Sequence, residues 1–400
     1  MKGFFATSPS RKALPLLPQC GECGLARQCL SPKMKVDGKG RRKILICGEA
    51  PGSDEDQQGI PFVGKMGQFL QEELDRVGID MREDCWITNS ARCRPPDNKY
   101  PPRTVDYCRP YLIQAVKELK PEIILLLGNY AVQSLLGWLW RESPGSVSTW
   151  AGLQIPNQKI NAWICPTYHP SFIKRSENDS DKGEEAARTV FHAHLKAMSE
   201  LKGRPWQEIP DYNSGIRLIR NESEASIAIR KMIGKKPVAF DYETDRLKPD
   251  SREAEIVCCS LSDGENTISF PWRGFKVIET MEEFLKSNTP KIASNLKFED
   301  RWTRRIFGFP VRNWAFDTML AAHVLDQRKG VTSIKFQAFA MLGFDAWDSE
   351  VKEYLKAKTT NGKNRIRELD WTTLLKYNAL DSLLEWQVAK IQAKKLGTIP

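Results

Sequence analysis

Short apolar runs alternate with stretches of helical periodicity through the first half of the chain, and this alternation constrains the fold more than any other feature. The apolar runs are residues 43–47, 85–89, 122–128 and 162–166, and the helical stretches are 67–77, 107–120, 129–139 and 184–201. Strands that alternate with helices form a parallel sheet covered on both faces. The first half is therefore predicted to be a three-layer α/β/α domain whose functional loops follow the carboxyl ends of the strands.

A different pattern begins after an aperiodic segment of Gly, Pro and polar residues at 202–213. The segments that read as strands are residues 216–219, 237–241, 255–260 and 267–270. The last three are predicted to form an antiparallel meander. From residue 291 the chain is predicted to be helical, and it ends in a helix over residues 369–395.

A chain of 400 residues exceeds the roughly 250–300 residues at which a single hydrophobic core stops growing. The aperiodic segment therefore marks a boundary between domains. The predicted division is a first domain over residues 1–205, a linker over 206–214 and a second domain over 215–400.

Composition narrows the classes of function. The chain has 60 Lys and Arg against 50 Asp and Glu, and its net charge of +10 favours a polyanionic partner because basic side chains neutralise phosphates. No apolar run is long enough to span a bilayer, and residues 1–5 are too short to be a secretory leader. A membrane role is not expected. The expected location is the cytoplasm, which is the host cytoplasm for a phage-encoded chain.

Eight of the ten cysteines lie in the first half, and this asymmetry predicts metal binding there rather than a disulfide framework. The candidate ligands are Cys20, Cys23, Cys93 and Cys108. Four thiolates bind either zinc or a [4Fe–4S] cluster, and the residues alone leave both open. Cys29 is a fifth possible ligand, so the ligand set is also open.

Polar and aromatic side chains follow three of the predicted strands in the first half. Phe62 offers an aromatic face on which a flat ring can stack, and the Asn89 carboxamide supplies both a hydrogen-bond donor and an acceptor. His169 can donate to a carbonyl oxygen on which negative charge develops. Glu49 and Glu55 could stabilise nearby positive charge or position water, and their division of roles is open.

Acidic residues dominate the second half. Asp241 and Glu243 share one face of a predicted strand because side chains alternate along it. Tyr377 and Asp381 share one face of a predicted helix because they are four residues apart. Phosphodiester hydrolysis by two metal ions needs several carboxylates and an oriented water. This set therefore predicts a metal-dependent nuclease in which the Tyr377 hydroxyl positions the attacking water.

The first set of motifs resembles family 4 uracil-DNA glycosylases. The resemblance rests on residues 48–64, 87–96 and 166–171, and it extends from Cys20 to about Leu201. It implies a structural [4Fe–4S] cluster held by Cys20, Cys23, Cys93 and Cys108. It further implies that Glu49, Asn89 and His169 are catalytic and that Gly48, Ala50, Glu55, Phe62 and Ser171 contact uracil or DNA.

The second set resembles the 3′–5′ exonuclease domain of family-A DNA polymerases, which is of the DEDD type with Tyr and has a ribonuclease H-like fold. The resemblance rests on residues 239–245, 295–298, 316–320 and 377–381. It implies that Asp241, Glu243, Tyr377 and Asp381 are catalytic, that Asn295 and Lys297 contact DNA, and that Mg²⁺ or Mn²⁺ is the cofactor. The family has Asp where this chain has Glu299, which Asp300 follows. Either side chain could therefore supply the second-motif carboxylate.

Together the two sets predict a bifunctional DNA enzyme that excises uracil and proofreads 3′ ends. Its expected substrates are single-stranded or uracil-containing DNA and DNA 3′ ends, and it is expected to be part or a subunit of a phage-type family-A polymerase. One alternative is a catalytically silent first domain that senses uracil or binds DNA beside an active exonuclease. Another is a structural replication subunit with neither activity. Whether the polymerase domain is a separate chain is open.

Overall fold

The computed structural model describes residues 17–141, 143–175 and 181–398. The chain divides into two compact units, with the boundary after Pro205. Residues 206–214 contain turns and bends but no helix or strand, and their assignment as a linker stays a prediction. Residues 1–5, considered above as a leader, lie outside the described residues.

The first unit is built on a five-stranded sheet with the order β2-β1-β3-β5-β4. Its strands are β1 (Ile44–Gly48), β2 (Cys85–Asn89), β3 (Ile123–Leu127), β4 (Ile155–Asn157) and β5 (Ala162–Thr167). The strands β1, β2, β3 and β5 are parallel, as the apolar runs predict, and β4 pairs antiparallel to β5 at the edge. The sequence prediction lacks β4 because three residues are too few to show a periodicity.

Helices cover both faces of this sheet, since β1 and β3 are buried along their whole length. The helices are α1 (Cys20–Cys23), α2 (Ser53–Gln58), α3 (Lys65–Asp75), α4 (Met81–Asp84), α5 (Thr104–Leu119), α6 (Asn129–Leu139), α7 (Val147–Trp150), α8 (Pro170–Arg175) and α9 (Asp181–Ser199). On one face, Leu70 of α3 and Phe191 of α9 pack with Ile87 and Leu125 of the sheet, and all four are essentially inaccessible to solvent. This rigid core fixes the ends of the parallel strands from which the functional loops leave.

The second unit is built on a six-stranded sheet with the order β11-β10-β7-β8-β9-β6. Its strands are β6 (Ile216–Leu218), β7 (Val238–Thr244), β8 (Ile256–Ser262), β9 (Thr267–Pro271), β10 (Lys291–Ala293) and β11 (Trp314–Asp317). The antiparallel meander β7-β8-β9 confirms the prediction. The prediction of a purely helical chain after residue 291 is wrong, because β10 and β11 add two short parallel strands beside β7.

Helices of the second unit pack on this sheet. They are α10 (Glu222–Met232), α11 (Phe275–Lys286), α12 (Leu296–Phe307), α13 (Thr318–Leu325), α14 (Ile334–Leu342) and α15 (Trp371–Leu396). The long helix α15 is capped at its amino end by Asp370, whose carboxylate accepts the N–H groups of Thr372 and Thr373 at 2.9 and 3.0 Å. It lies across β7 and β8, and its buried face carries the polar residues of the second site. Within the described ranges, none of the helices combines the length and apolar character that crossing a bilayer requires.

Candidate active sites

Loops at the carboxyl ends of β1, β2 and β5 line one cavity of about 610 Å³ in the first unit. The predicted residues that line it are Glu49, Ala50, Glu55, Phe62, Asn89, His169 and Ser171. Gly48 lies directly behind them, where a Cβ atom would come within 2.5 Å of both Asn89 Oδ1 and Phe62 Cζ. The absence of a side chain at Gly48 therefore lets the aromatic ring and the carboxamide approach each other.

Phe62 is held in an unfavourable backbone conformation. Its φ of 57° is in the left-handed region, which costs a non-glycine residue on the order of 1–2 kcal/mol. The Arg82 guanidinium donates to the carbonyl oxygens of Pro61 and Phe62 at 2.8 and 2.9 Å and so fixes this turn. Strain that is held by specific contacts is typical of a functional position.

Glu55 holds two loops of the cavity together. Its Oε1 accepts the N–H groups of Val63 and Gly64 at 3.1 and 2.9 Å, and its Oε2 accepts the N–H of Gly52 at 3.0 Å. The carboxylate thus ties the loop after β1 to the loop that carries Phe62. These contacts give Glu55 a positioning role, and its proposed contact with the base or with water stays a prediction.

Glu49 lies at the amino end of α6. Its Oε1 accepts the N–H of Tyr130 at 3.3 Å, and a helix amino end stabilises negative charge. It packs over Gly128, where a Cβ atom would lie 2.3 Å from Oε1. These contacts hold the Glu49 carboxylate beside the cavity.

Two tyrosines that the sequence analysis did not single out form a wall of this cavity. The rings of Tyr100 and Tyr130 stack with their centroids 3.9 Å apart. Burial, followed by the negative charge of Glu49, raises the pKa of both phenols. Both therefore remain neutral at physiological pH.

His169 follows β5, and hydrogen bonds with Ser171 orient its ring. Its Nδ1 accepts the N–H of Ser171 at 3.2 Å and lies 2.8 Å from the Ser171 hydroxyl. Because Nδ1 accepts a backbone hydrogen bond, the neutral ring carries its proton on Nε2. The ring can therefore donate from Nε2.

The four predicted cysteine ligands converge on one small cavity. Cys20 and Cys23 lie on α1, Cys108 lies on α5 and Cys93 lies in the loop after β2. Burial raises the pKa of Cys93 to about 11 and that of Cys108 to about 12. Cys29 hydrogen-bonds to Cys93 but is not among the residues that line the cavity.

The spacing of the sulfur atoms discriminates between the possible metal centres. Zinc with Zn–S bonds of about 2.3 Å holds its sulfurs roughly 3.8 Å apart. Among the described residues, the one group of three or more potential ligands gathered within 4.8 Å contains only carboxylates of the second unit. No three of the four sulfur atoms are therefore as close together in this structure as one zinc ion would hold them.

The carboxylate group of the second unit consists of Asp241, Glu243 and Asp381, whose ligand atoms lie within 4.8 Å of one another. Asp241 and Glu243 come from the same face of β7, and Asp381 comes from α15. The Asn378 amide donates to Asp241 Oδ2 at 2.7 Å and orients that carboxylate. Burial, and then the charge of Asp381, raises the pKa of Asp241 well above its ordinary value.

A buried lysine serves these acids as a counter-charge. The Lys335 ammonium of α14 donates to Asp381 Oδ1 and, at 3.1 Å, to the Tyr377 hydroxyl. The Trp347 indole N–H also donates to Asp381 Oδ1, at 3.1 Å. Burial lowers the pKa of Lys335, but the charge and hydrogen bond of Asp381 outweigh it, and the net shift is upward.

The structure separates the two candidates for the second-motif carboxylate. Glu299 is 2% exposed, and burial together with the charge of Asp241 raises its pKa. Asp300 points elsewhere, because its carboxylate accepts the N–H of Val311 at 2.9 Å and the Arg304 guanidinium at 2.6 Å. These contacts favour Glu299 as the second-motif carboxylate, since successive helical residues diverge by about 100°. The assignment of Glu299 or Asp300 as a metal ligand stays a prediction.

The two remaining predicted residues lie at the start of α12. Asn295 has a φ of 69°, and its N–H donates to Asp317 Oδ1 at 3.1 Å. Asp317 also accepts N–H groups from Leu296, Met319 and Leu320, so it joins the starts of α12 and α13. Lys297 is exposed on the first turn of α12. Contacts of Asn295 and Lys297 with DNA stay predictions.

The chain matches two different protein families, one in each of its two compact units. The profile of the uracil DNA glycosylase superfamily matches residues 36–193, and the profile of a 3′–5′ exonuclease matches residues 216–396. A type-4 uracil-DNA glycosylase of Pyrobaculum aerophilum is 39% identical over 176 residues, which cover 41% of this chain and 84% of that protein. The first unit therefore makes this chain a member of the type-4 uracil-DNA glycosylase family.

Two further similarities extend beyond the first unit. A DNA polymerase of Bacillus phage SP01 is 31% identical over 335 residues, which cover 74% of this chain but only 34% of the polymerase. Among solved structures, Escherichia coli RNase D aligns over 46% of each chain with 14% identity and a TM-score of 0.36. The family matches confirm the predicted pairing of a uracil-DNA glycosylase-like domain with a 3′–5′ exonuclease domain, and with it the two enzyme classes. The ribonuclease H-like fold of the second domain stays a prediction.

Proposed function

We propose that the chain hydrolyses the N-glycosidic bond of deoxyuridine in DNA and, at a separate centre, removes nucleotides from DNA 3′ ends. The first activity is supported above all by the convergence of Phe62, Asn89 and His169 on one cavity in a member of the type-4 family. The second is supported by the tight carboxylate group in a domain that matches a 3′–5′ exonuclease.

In the glycosylase step, Phe62 stacks on the extruded uracil, and the Asn89 carboxamide pairs with its N3–H and O4. The bond between C1′ and N1 breaks, and its electron pair moves into the base. His169 donates from Nε2 to uracil O2, where part of that charge collects. Glu49 stabilises the cationic sugar until water adds to C1′, and the proton that the water releases neutralises the uracil anion.

The cavity lined by Cys20, Cys23, Cys93 and Cys108 is proposed to hold a [4Fe–4S] cluster in a structural role. The supporting observations are the set of four cysteines that line one cavity and the membership of the first unit in the type-4 family. A bound cluster would tie α1 to α5 and to the loop after β2. That loop continues to Tyr100, so the cluster would also steady one wall of the base cavity.

In the exonuclease step, Asp241, Glu243 and Asp381 are proposed to hold Mg²⁺ or Mn²⁺, with Glu299 on the side of Asp241. Bound divalent ions supply Lewis-acid stabilisation of the phosphate. Tyr377 orients the attacking water through its hydroxyl, and its neutral form is kept by burial, which raises its pKa. Lys335 holds Tyr377 and Asp381 in a fixed relation and balances part of the acidic charge.

The similarity to the phage polymerase supports a third proposal, that the chain works as a part or subunit of a family-A DNA polymerase. It is expected to act on uracil-containing or single-stranded DNA and on 3′ ends in the cytoplasm, which is that of the host if the chain is phage-encoded. Binding of the chain to a polymerase, measured by co-purification and by the effect on primer extension, tests this association.

Both activities are tested with 5′-labelled oligonucleotides. With a single dU and EDTA present, we expect an abasic site that alkali cleaves, and Asn89→Ala should reduce its formation by about 10²–10³-fold. Gln114→Ala, an exposed side chain of α5, is the matched control. With Mg²⁺ and no dU, we expect a ladder of products shortened from the 3′ end.

A separate result would contradict each of the proposals. No abasic product from wild-type protein that carries iron and sulfide overturns the glycosylase proposal. No ladder with either Mg²⁺ or Mn²⁺ overturns the exonuclease proposal. A protein purified anaerobically without the broad visible absorption of an iron–sulfur cluster overturns the cluster proposal.

A further inference from the structure

A second large cavity of the first unit is basic. Its volume is about 560 Å³, and the cationic side chains that line it are Lys117, Lys120, Lys159 and Arg204. No carboxylate of the described residues lines this basic cavity. Lys117 and Lys120 lie at the carboxyl end of α5, which carries about half a unit of negative charge. The helix end therefore balances only a small part of the four positive charges, and the excess suits an anionic ligand.

The basic cavity lies at the edge of the sheet that is opposite the base cavity. It is lined by Lys120 and Pro121, which lead into β3, and by Asn161, which leads into β5. The base cavity lies at the carboxyl ends of the same parallel strands. The five residues of β3, at about 3.3 Å each, keep the two cavities roughly 16 Å apart. The basic cavity is therefore a separate site, and it has no role in the chemistry derived above.

Backbone atoms hold Arg204 in the wall of the basic cavity. Its guanidinium donates to the carbonyl oxygens of Lys120 and Asn161, each at 2.8 Å. Both of these residues have a φ in the left-handed region, 49° and 46°, which costs a residue other than glycine on the order of 1–2 kcal/mol. The carbonyl oxygens carry no formal charge, so they orient the guanidinium without neutralising it. The charge of Arg204 is thus placed by specific contacts, unlike that of a solvated surface lysine.

An aromatic ring lines the same cavity. Trp138 of α6 is half-buried, and the Lys159 ammonium lies 5.1 Å from the centroid of its ring. Proteins that bind single-stranded nucleic acid combine cations, which contact phosphates, with aromatic rings on which bases stack. Cations alone would suit any polyanion, whereas the indole favours a nucleotide over an acidic peptide. The volume is within the range of about 300–1,000 Å³ that is usual for small-ligand pockets.

We propose that the basic cavity is a second DNA site of the first unit, which binds a nucleotide of single-stranded DNA without reacting with it. Its cations contact the phosphates, and Trp138 stacks on the base. The proposal rests on the proposed function only in that DNA is the substrate of the chain. Such a site keeps a strand attached to the first unit while the base cavity is empty.

The test is the salt dependence of DNA binding by the full-length protein with its cluster intact. Binding of a fluorescein-labelled oligothymidylate is followed by anisotropy in EDTA, which prevents metal-dependent shortening. Lys117→Gln/Lys159→Gln should weaken binding by at least about tenfold and lower the slope of log K against log salt by about 1.4, which is roughly 0.7 for each lost phosphate contact. Lys35→Gln/Lys196→Gln removes the same charge from two exposed lysines of this unit and should leave the slope unchanged.

A photo-cross-link locates the bound strand. An oligonucleotide that carries 5-iodo-2′-deoxycytidine should cross-link to the peptide that contains Trp138, and the cross-link should be lost in Lys117→Gln/Lys159→Gln. An unchanged salt slope in that variant, or cross-links confined to other peptides, overturns the proposal. Unchanged DNA binding together with weaker binding of an oligoglutamate peptide overturns it in favour of an acidic protein partner. A wild-type protein that gives the Trp138 cross-link but releases no uracil overturns the glycosylase function alone.

Discussion

In the first unit, the groups proposed to read a base are an aromatic ring, a carboxamide and an imidazole, which backbone hydrogen bonds and close packing hold in place. In the second unit, the groups proposed to bind metal are acids packed beside one another. His169 takes its orientation from the N–H of Ser171, whereas Asp381 takes its orientation from Lys335 and Trp347. The first arrangement is preorganised by folding, whereas the second gathers like charges that folding alone leaves poorly balanced. Only the second should therefore respond strongly to added cations.

The largest expected effect is a substitution that abolishes one activity and leaves the other unchanged. Asp381→Asn should lower the rate of 3′ shortening by at least about 10³-fold, because it removes a metal ligand and the partner of Lys335. Uracil excision measured in EDTA should change by less than about twofold, since the two sites belong to separate compact units that share no described partner. Single-turnover assays on labelled oligonucleotides measure both rates.

The neighbouring acid of α12 provides the matched control for this result. Asp300→Asn removes a carboxylate that faces Val311 and Arg304, and it should leave the exonuclease rate within about threefold of wild type. Equal losses in Asp300→Asn and Glu299→Gln would contradict the distinction between the two acids.

The next effect concerns the stability of the metal-free second unit. Lys335→Met removes the counter-charge from buried acids and should lower the free energy of unfolding by about 3 kcal/mol. Added Mg²⁺ should restore most of that loss, because divalent ions neutralise the same acids. Scanning calorimetry with EDTA and with Mg²⁺ measures the change. Lys286→Met, which breaks an exposed ion pair with Glu282, should cost under about 0.5 kcal/mol.

A smaller effect is expected in the base cavity, where packing and not charge sets the geometry. Gly48→Ala places a methyl group within 2.5 Å of Asn89 Oδ1 and of the Phe62 ring, so both groups must shift. Uracil excision should fall by about tenfold or more, since small displacements of positioning groups are costly. Gly234→Ala, where a Cβ atom meets nothing within 4 Å, is the control. An unchanged rate in Gly48→Ala would contradict the proposed reading geometry.

The smallest effect is a dependence of stability on pH. Glu385 of α15 is 2% exposed, and burial raises its pKa in the folded protein above the unfolded value of about 4.3. Above that pH the folded state holds more protons than the unfolded state, so this group's contribution to stability is lost as pH rises toward the folded pKa. Glu385→Gln does not titrate, and in EDTA its stability relative to wild type should increase as the pH rises from 5 to 8. A difference that is constant with pH would contradict the assigned burial.

The sequence predicts the parallel strands and the positions of their loops because both signals are local. Runs of three to five apolar residues specify β1, β2, β3 and β5. Asn89 and His169 are found because they lie at or just after the ends of these strands. Strands β4, β10 and β11 contain three or four residues each. Such short segments are strands because of their neighbours in the sheet and not because of their own pattern.

The parts of the sites that the sequence does not reveal depend on long-range packing. Lys335 meets Asp381 from a separate helix 46 residues away, and no spacing rule connects them. The stacked pair of Tyr100 and Tyr130 also comes from separate segments. Glu385 is different, because it follows Asp381 by the same four residues that separate Asp381 from Tyr377. This spacing in the sequence could have predicted that Glu385 lies on the same side of the helix.

The single carboxylate of Glu55 receives N–H groups from both loops that frame the base cavity. A displacement of the Phe62 turn is therefore transmitted directly to the segment that begins with Glu49. The loop that carries Phe62 and the loop that carries Glu49 should therefore move together when a nucleotide enters. Induced fit at this cavity would then be a one-step event, with a single relaxation rate for probes placed on either loop.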